Sequence, residues 1–283
     1  MIHRTNTLGR SFLALGLLCA ATVCQAAEIV AHRGASHDAP ENTLASVKLG
    51  WEQNADAVEI DIRLSQDGQI VLMHDETTKR TAGSDLPIVE QTLDQLRQLD
   101  AGRWKDPRWA GERIPVLSEI LATIPDGKRL FIEIKCGPEI VEPLREQLRL
   151  ADRPVEQTAI IGFSLEVVTA AKKAMPELQV YWLAGIKQDK ESAQWGPPVS
   201  ELLAQAQAAG VDGLDVSGAT SLTRADVELV HNAGLKFLVW TVNDADVARN
   251  LIDIRVDGIT TDRPGWLREQ CEQPERSKNP HSP

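Results

Sequence analysis

Two histidines, three carboxylates, an arginine and a lysine stand at the ends of short apolar runs in this 283-residue chain: His32-Arg33, Glu59 with Asp61, His74, and Glu133 with Lys135. Ionisable groups on apolar runs are costly to bury unless they hold a metal, a substrate or one another. Glu59, Asp61 and Glu133, with no cysteine or histidine among them, suit one hard divalent cation, Mg²⁺ or Ca²⁺. Such a cation draws negative charge from a phosphoryl oxygen. Imidazole titrates near neutral pH, so His32 and His74 can divide acid and base work across a phosphodiester. Arg33 offers a planar fork to phosphate oxygens, and Lys135 a second positive charge. Trp240, at another run's end, can wall an apolar part of a small substrate. Singly, each residue has a plainer role. Glu133 with Lys135, Asp61 with Arg63 and Arg33 with Glu59 can be rim ion pairs, and Trp240 can be core. Their recurrence at one end of successive runs favours a site.

The runs that carry them read as strands: Ile29–His32, Val58–Asp61, Ile70–His74, Leu130–Ile134, Ala159–Phe163, Val180–Leu183, Gly213–Val216, Lys236–Val242 and Gly258–Thr261. Between most of them lie amphipathic helices: Glu41–Gln53, Pro138–Leu150, Leu165–Ala174, Val199–Ala209, Arg224–Ala233 and Ala245–Asp253. Continuous apolar strands alternating with helices predict a parallel sheet covered on both faces. Nine strands are one too many for a (β/α)8 TIM barrel. Only Gln66–Gln69 separates the second and third, too short for a parallel crossover, so Ile70–His74 must return antiparallel. The other eight can close a barrel, whose active site lies at the C-terminal ends of its strands.

Asp67-Gly68 is a two-residue hairpin turn signal. Counting back from it pairs Gln66 with Gln69 and Asp61 with His74. Opposed residues share a face, as do residues two apart, so this register predicts Glu59, Asp61 and His74 together. Pro40-Glu41-Asn42-Thr43 reads as a helix start, which accounts for Glu41 and leaves Asn42 a secondary chance of reaching the site. Residues from about 76 to 128 form an irregular insertion after the second strand, with short helices near Leu93–Leu99 and Leu117–Ile124. His37, His231 and His281 lie off the strand ends and read as structural.

Residues 1–26 read as an export signal: Arg4 and Arg10, an apolar run from Phe12 to Val23, and Cys24-Gln25-Ala26 as a cleavage site. The run is too short to span a bilayer, and Leu18 and Val23 are large for the residue before a lipidated cysteine. Cleavage would leave 257 residues, one TIM-barrel domain over 27–270, with 28 basic against 41 acidic side chains, a net −13. So acidic a surface argues against nucleic acid or anionic membrane as main partner. It leaves room for a small anionic substrate in a cleft of its own local field. Export, with the periplasm as destination, would expose Cys136 and Cys271 to oxidation, and their pairing stays open. Residues 271–283 read as a disordered polar tail.

His32-Arg33-Gly34, Pro40-Glu41-Asn42-Thr43, Glu59-Ile60-Asp61, Asp67-Gly68, His74-Asp75, Glu133-Ile134-Lys135, Trp240-Thr241-Val242-Asn243 and Asp257-Gly258-Ile259-Thr260-Thr261-Asp262 follow one another in an order that is similar to the glycerophosphodiester phosphodiesterases. The likeness runs from about Ile29 to Pro264. It implies a TIM barrel with a small insertion after strand two. It implies metal-dependent release of glycerol 3-phosphate and an alcohol from deacylated phospholipids such as glycerophosphocholine. By motif, His32 and His74 become the acid–base pair, Glu59, Asp61 and Glu133 the metal ligands, and Arg33 and Lys135 the phosphate contacts. Two other readings stand beside it: the same barrel acting on lysophospholipid or sphingomyelin-type lipids, and an exported protein that binds phosphodiesters without turnover.

Overall fold

The computed structural model describes residues 27–272. The expected export segment and residues 273–283 of the expected tail lie outside them. Among the described residues, no helix is long and apolar enough to cross a membrane.

Eight parallel strands close on themselves. In chain order the strands are β1 (Glu28–Ala31), β2 (Ala57–Leu64), β3 (Ile70–Leu72), β4 (Arg129–Ile134), β5 (Thr158–Gly162), β6 (Gln179–Ala184), β7 (Gly213–Val216), β8 (Lys236–Val239) and β9 (Gly258–Thr261). Around the barrel the order is β1-β9-β8-β7-β6-β5-β4-β2, and β1 pairs with β2 to seal the ring. This is a (β/α)8 TIM barrel. The helices that cover it include α1 (Leu44–Glu52), α2 (Leu117–Leu121), α3 (Val141–Ala151), α4 (Leu165–Ala174), α5 (Val199–Ala209), α6 (Arg224–Asn232), α7 (Ala245–Ile254) and α8 (Pro264–Glu272). Helix α8 takes up Cys271 and Glu272, so the helix outlasts the expected start of the tail by two residues. Cys136 and Cys271 are both free thiols.

Period-two alternation divides the strands into two apolar sets. Val58, Ile60 and Ile62 of β2 face the helices and join the large core between barrel and helix ring. Ala57 of β2 faces inward with Phe131, Ile161, Tyr181, Leu183 and Leu238, which fill the barrel. Glu59 and Asp61 occupy the next two inward positions, closer to the mouth. Truncating one of the outward set, Ile60→Ala, would cost roughly 2–5 kcal/mol.

β3 is antiparallel to β2, as the short connection required, but one residue out of the expected register: Ile62 faces Leu72 and Leu64 faces Ile70. The loop has three residues, Gln66-Asp67-Gly68, closed by Ser65 N to Gln69 O (2.9 Å), with Gly68 at φ 74°. This is the turn-plus-left-handed-residue hairpin, in which glycine ends the loop. The Ser65 hydroxyl selects it by accepting from Gln69 N (2.9 Å) and donating to Asp67 Oδ1 (2.6 Å). Asp61 therefore lies opposite Met73, whose N–H donates to its carbonyl. Beyond β3 the insertion packs its own small core of Val71, Met73, Ile88, Leu96, Ala101 and Ile114.

Candidate active site

The turn after β1 is the first piece of the site. Arg33 (φ 55°) and Gly34 (φ 82°) are both left-handed, which bends the chain back toward β2. Arg33 N then donates to Glu59 Oε2 at 2.8 Å. Glycine is required at 34, because a β-carbon there would collide with the Ser46 backbone. Ser46 belongs to the capping box that starts α1: its hydroxyl accepts from Thr43 N, and Thr43 Oγ1 accepts from Ser46 N, both at 3.2 Å. The hydroxyl also donates to Arg33 O at 2.9 Å, fastening helix to turn.

Glu59, Asp61 and Glu133 each place a carboxylate oxygen within 4.8 Å of the other two, and all three are buried. They can hold a metal ion. Glu59 Oε1 and Asp61 Oδ1 are buried without a hydrogen-bond partner, so the cluster has open oxygen donors that suit a hard cation. Burial raises the Glu59 carboxyl well above its usual range, and the charges of Asp61 and Glu133 push it further. Burial likewise lifts Glu133 to about 7, helped by Asp61 and opposed by Lys135. Asp61 stays below the ordinary range despite its burial, held by Arg33, Lys135, His74 and Asn42. Like charge concentrated in this way is what a cation would relieve.

The expected phosphate contacts sit against this cluster. Arg33 Nε is 3.2 Å from Asp61 Oδ2 without hydrogen-bond alignment, and Arg33 Nη1 donates to Glu41 Oε1 at 2.9 Å. Glu41, expected to serve only the helix start, thus braces Arg33, and it also takes two bonds from Arg80. Lys135 Nζ is 2.8 Å from Glu133 Oε1 and 3.6 Å from Asp61 Oδ1. Asn42 does reach the site, bonded to Asp61. Arg63 does not pair with Asp61; it donates twice, at 2.8 and 3.2 Å, to the carbonyl of His74.

That grip explains how His74 reaches the cavity although the register argument fails. One residue of slip reverses faces along a strand. β3 ends at Leu72, however, so face parity no longer governs residue 74. His74 Nδ1 lies 2.7 Å from Asp75 Oδ1, and His32 Nδ1 lies 2.6 Å from Asp262 Oδ1. A carboxylate only accepts, so each Nδ1 carries the proton and each Nε2 is left available. Burial lowers the basicity of His74, with Arg33 and Lys135 adding to it and Asp61 and Asp75 opposing. Burial also works against the charge of Asp262, but bonds from His32, Asn243 and Ser36 hold it at about 2.

Both histidines line one cavity of about 240 Å³ at the C-terminal mouth, with Arg33, Glu59, Glu133, Lys135 and Trp240. Trp240 meets Phe163 edge to face at 5.4 Å and donates its indole N–H to Asp215 O. The sequence reading missed Asp75, Asp262, Phe163 and Asp215 as site residues. Asp262 and Phe163 immediately follow strand ends, the same signal that marked His32, and Asp75 is the neighbour of His74 just beyond β3. Asp215 sits inside a four-residue apolar strand and reads as an oddity there. Its carboxyl is buried and is raised by that burial and by Glu133 to about 8. A wider hollow of about 1200 Å³ at the opposite end of the barrel, around Arg129, Tyr181 and Asp257, holds no such grouping.

A TIM barrel whose mouth gathers three acidic groups, two carboxylate-anchored imidazoles and two cations has the makings of a phosphodiester hydrolase. The chain matches the model of the glycerophosphoryl diester phosphodiesterase family over residues 32–266, and it belongs to that family. It is 32% identical over 245 residues to a glycerophosphodiester phosphodiesterase of Caldanaerobacter subterraneus subsp. tengcongensis, covering 84% of this chain and 95% of that one. Among solved structures it resembles an Oleispira antarctica phosphodiesterase bound to its product sn-glycerol 3-phosphate, at 29% identity and a TM-score of 0.77, over 88% of this chain and 98% of that one. It also resembles a glycerophosphodiester phosphodiesterase of Agrobacterium tumefaciens, at 28% identity and a TM-score of 0.73, over 86% and 99%. The chain is a glycerophosphodiester phosphodiesterase.

Proposed function

We propose that the protein hydrolyses glycerophosphodiesters such as glycerophosphocholine to glycerol 3-phosphate and an alcohol, with a divalent cation bound and with His32 and His74 as its acid–base pair. The observation that carries this reading is the pair of imidazoles, each anchored through Nδ1 by its own carboxylate, in the cavity that also holds the acidic cluster. Glu59, Asp61 and Glu133 would hold Mg²⁺ or Ca²⁺, which supplies charge neutralisation at a phosphoryl oxygen. Arg33 and Lys135 take the phosphate's remaining charge and orient it. One imidazole Nε2 accepts the proton of the attacking hydroxyl as the new P–O bond forms. The other gives a proton to the leaving alcohol oxygen as the old P–O bond breaks. Water attacking directly yields glycerol 3-phosphate. The substrate's own neighbouring hydroxyl, attacking first, yields a cyclic phosphate that water then opens with the histidine roles reversed. The product held by the Oleispira relative supports the same substrate class here.

A lipid substrate would call for a broad apolar mouth. Phe163 is the one strongly exposed large apolar side chain among the described residues that line the cavity, which favours deacylated diesters. We also propose export to the periplasm, on the character of residues 1–26; a mature chain beginning at Ala27 in the periplasmic fraction checks it. The test of function is release of glycerol 3-phosphate from a panel of glycerophosphodiesters by metal-loaded enzyme, and its loss on chelation. A folded, metal-replete preparation inert on the whole panel would refute the reading.

A further inference from the structure

The cavity has two unlike halves. Strands β4, β2 and β1, with the start of the insertion, contribute Glu133, Lys135, Glu59, Arg33, His32 and His74. Strands β5 to β8 contribute the apolar wall of Ile161, Phe163, Leu183 and Trp240. Into that apolar wall β7 inserts a carboxyl group, Asp215, flanked in register by Leu183 on β6 and Leu238 on β8. Asp215 is 1% exposed, and its Oδ1 has no hydrogen-bond partner. Its main-chain carbonyl takes the indole N–H of Trp240, so the side chain is not needed to hold the tryptophan.

A buried polar atom without a partner destabilises a fold and gives it nothing in return. One that lines a substrate cavity finds its partner in the substrate. Once the charged half of the cavity engages the phosphodiester, the remaining polar groups of a glycerophosphodiester on the glycerol side are hydroxyls. A carboxyl oxygen accepts a hydroxyl proton whether or not the carboxyl is itself ionised.

We propose that Asp215 is the residue that selects glycerol: it binds the terminal hydroxyl of the substrate's glycerol, across the cavity from the phosphate. This rests on the function proposed above. A cationic headgroup is a poorer occupant of this half, because Lys135 Nζ already lies 5.5 Å from the Phe163 ring centroid and would meet it as like charge. The terminal hydroxyl is remote from phosphorus and takes no part in bond making, so its contribution is to position and to specificity. A site built to bond a hydroxyl discriminates strongly against the analogue that lacks it.

The experiment pairs three enzyme forms with two substrates. Metal-loaded wild type, Asp215→Leu and Asp215→Asn are assayed on a glycerophosphodiester and on the propane-1,2-diol phosphodiester of the same alcohol, which lacks only the terminal hydroxyl. Wild type is expected to prefer the glycerol compound by about ten- to a hundredfold in kcat/KM. D215L loses that preference: its kcat/KM on the glycerol compound falls by that factor relative to its kcat/KM on the diol. D215N, still able to bond a hydroxyl, falls between. Both variants melt at or above the wild-type temperature, and their metal titrations match wild type. An unchanged preference in D215L, an equal loss on both substrates, or a weakened metal titration would overturn the inference. So would a loss that tracks the charge of the headgroup. Wild type inert on every glycerophosphodiester would overturn the proposed function itself, and this inference with it.

Discussion

Asn42 and Asp61 are joined twice: Asn42 Nδ2 donates to Asp61 Oδ2 at 2.7 Å, and Asp61 N donates to Asn42 Oδ1 at 3.0 Å. Both residues are buried, and Asn42 is in the left-handed region at φ 56°. Asparagine tolerates that conformation better than most residues. The two hydrogen bonds fix the side chain of Asp61 and leave Oδ1 without a hydrogen bond, 3.6 Å from Lys135 Nζ. The start of α1 thereby sets the aim of a carboxylate on β2.

Replacing Asn42 tests this coupling. Asn42→Ala leaves a buried N–H and a carboxylate oxygen unmet and strains the backbone, and is expected to cost roughly 2–4 kcal/mol. Asn42→Gly keeps the conformation at no steric cost and should recover about 1 kcal/mol of that. Urea unfolding of the metal-free proteins measures both. Equal stability of wild type and N42A would show that the two bonds contribute nothing.

Much of this architecture was legible because it is periodic. Gly213–Val216 and Gly258–Thr261 are short apolar runs bounded by turns, and Leu165–Ala174 and Val199–Ala209 carry clean amphipathic patterns; each element has the predicted bounds. The acidic cluster was legible because charge on an apolar strand needs a reason. The hairpin register was not, since Asp67-Gly68 fits the end of a three-residue loop as well as a two-residue turn, and the Ser65 hydroxyl decides between them. Asp262 escaped for another reason. It lies 230 residues from His32, and only the closing of β9 onto β1 makes them neighbours. The plainer alternative of an Asp61–Arg63 ion pair is not realised: Arg33 and Asn42 occupy Asp61, and Arg63 turns to the His74 carbonyl.

The two imidazoles should differ from their carboxylates in what they are worth. His74→Ala is expected to lower turnover by about 10²–10⁴-fold, the usual worth of an acid–base group. Asp262→Asn keeps His32 in place but no longer enforces a proton on Nδ1, so a smaller loss of about 10–100-fold in kcat is expected, with KM little changed. Steady-state kinetics on one glycerophosphodiester compares them. Near-wild-type turnover in H74A would remove His74 from the chemistry.

Glu133 is expected to act on the cation and not on the proton transfers. Glu133→Gln replaces a charged oxygen donor by a neutral one, so the metal concentration for half-maximal activity should rise by about 10–100-fold. Turnover at saturating metal should fall far less than in H74A. An unchanged metal titration would exclude Glu133 as a ligand.

Metal binding should also be coupled to pH in a direction the carboxyl groups set. Burial and Asp61 lift Glu133 from its ordinary 4.5 to about 7, and burial and neighbouring charge raise Glu59 as well. In the metal-free protein a raised carboxyl contributes stability below its unfolded value. That contribution is lost as pH climbs from about 4.5 toward 7, because the unfolded chain releases its proton first. A cation reverses the trend, since it needs these groups ionised and displaces their protons. Its affinity should therefore rise by about tenfold per pH unit for each proton displaced, with the share from Glu133 levelling off above pH 7. Melting curves from pH 5 to 8.5, with and without Mg²⁺ or Ca²⁺, read both effects at once. The stabilisation by metal should widen with pH, and widen less steeply once Glu133 is ionised above about pH 7. A stabilisation equal at all pH values would mean that the cation, if it binds, does so away from Glu59 and Glu133.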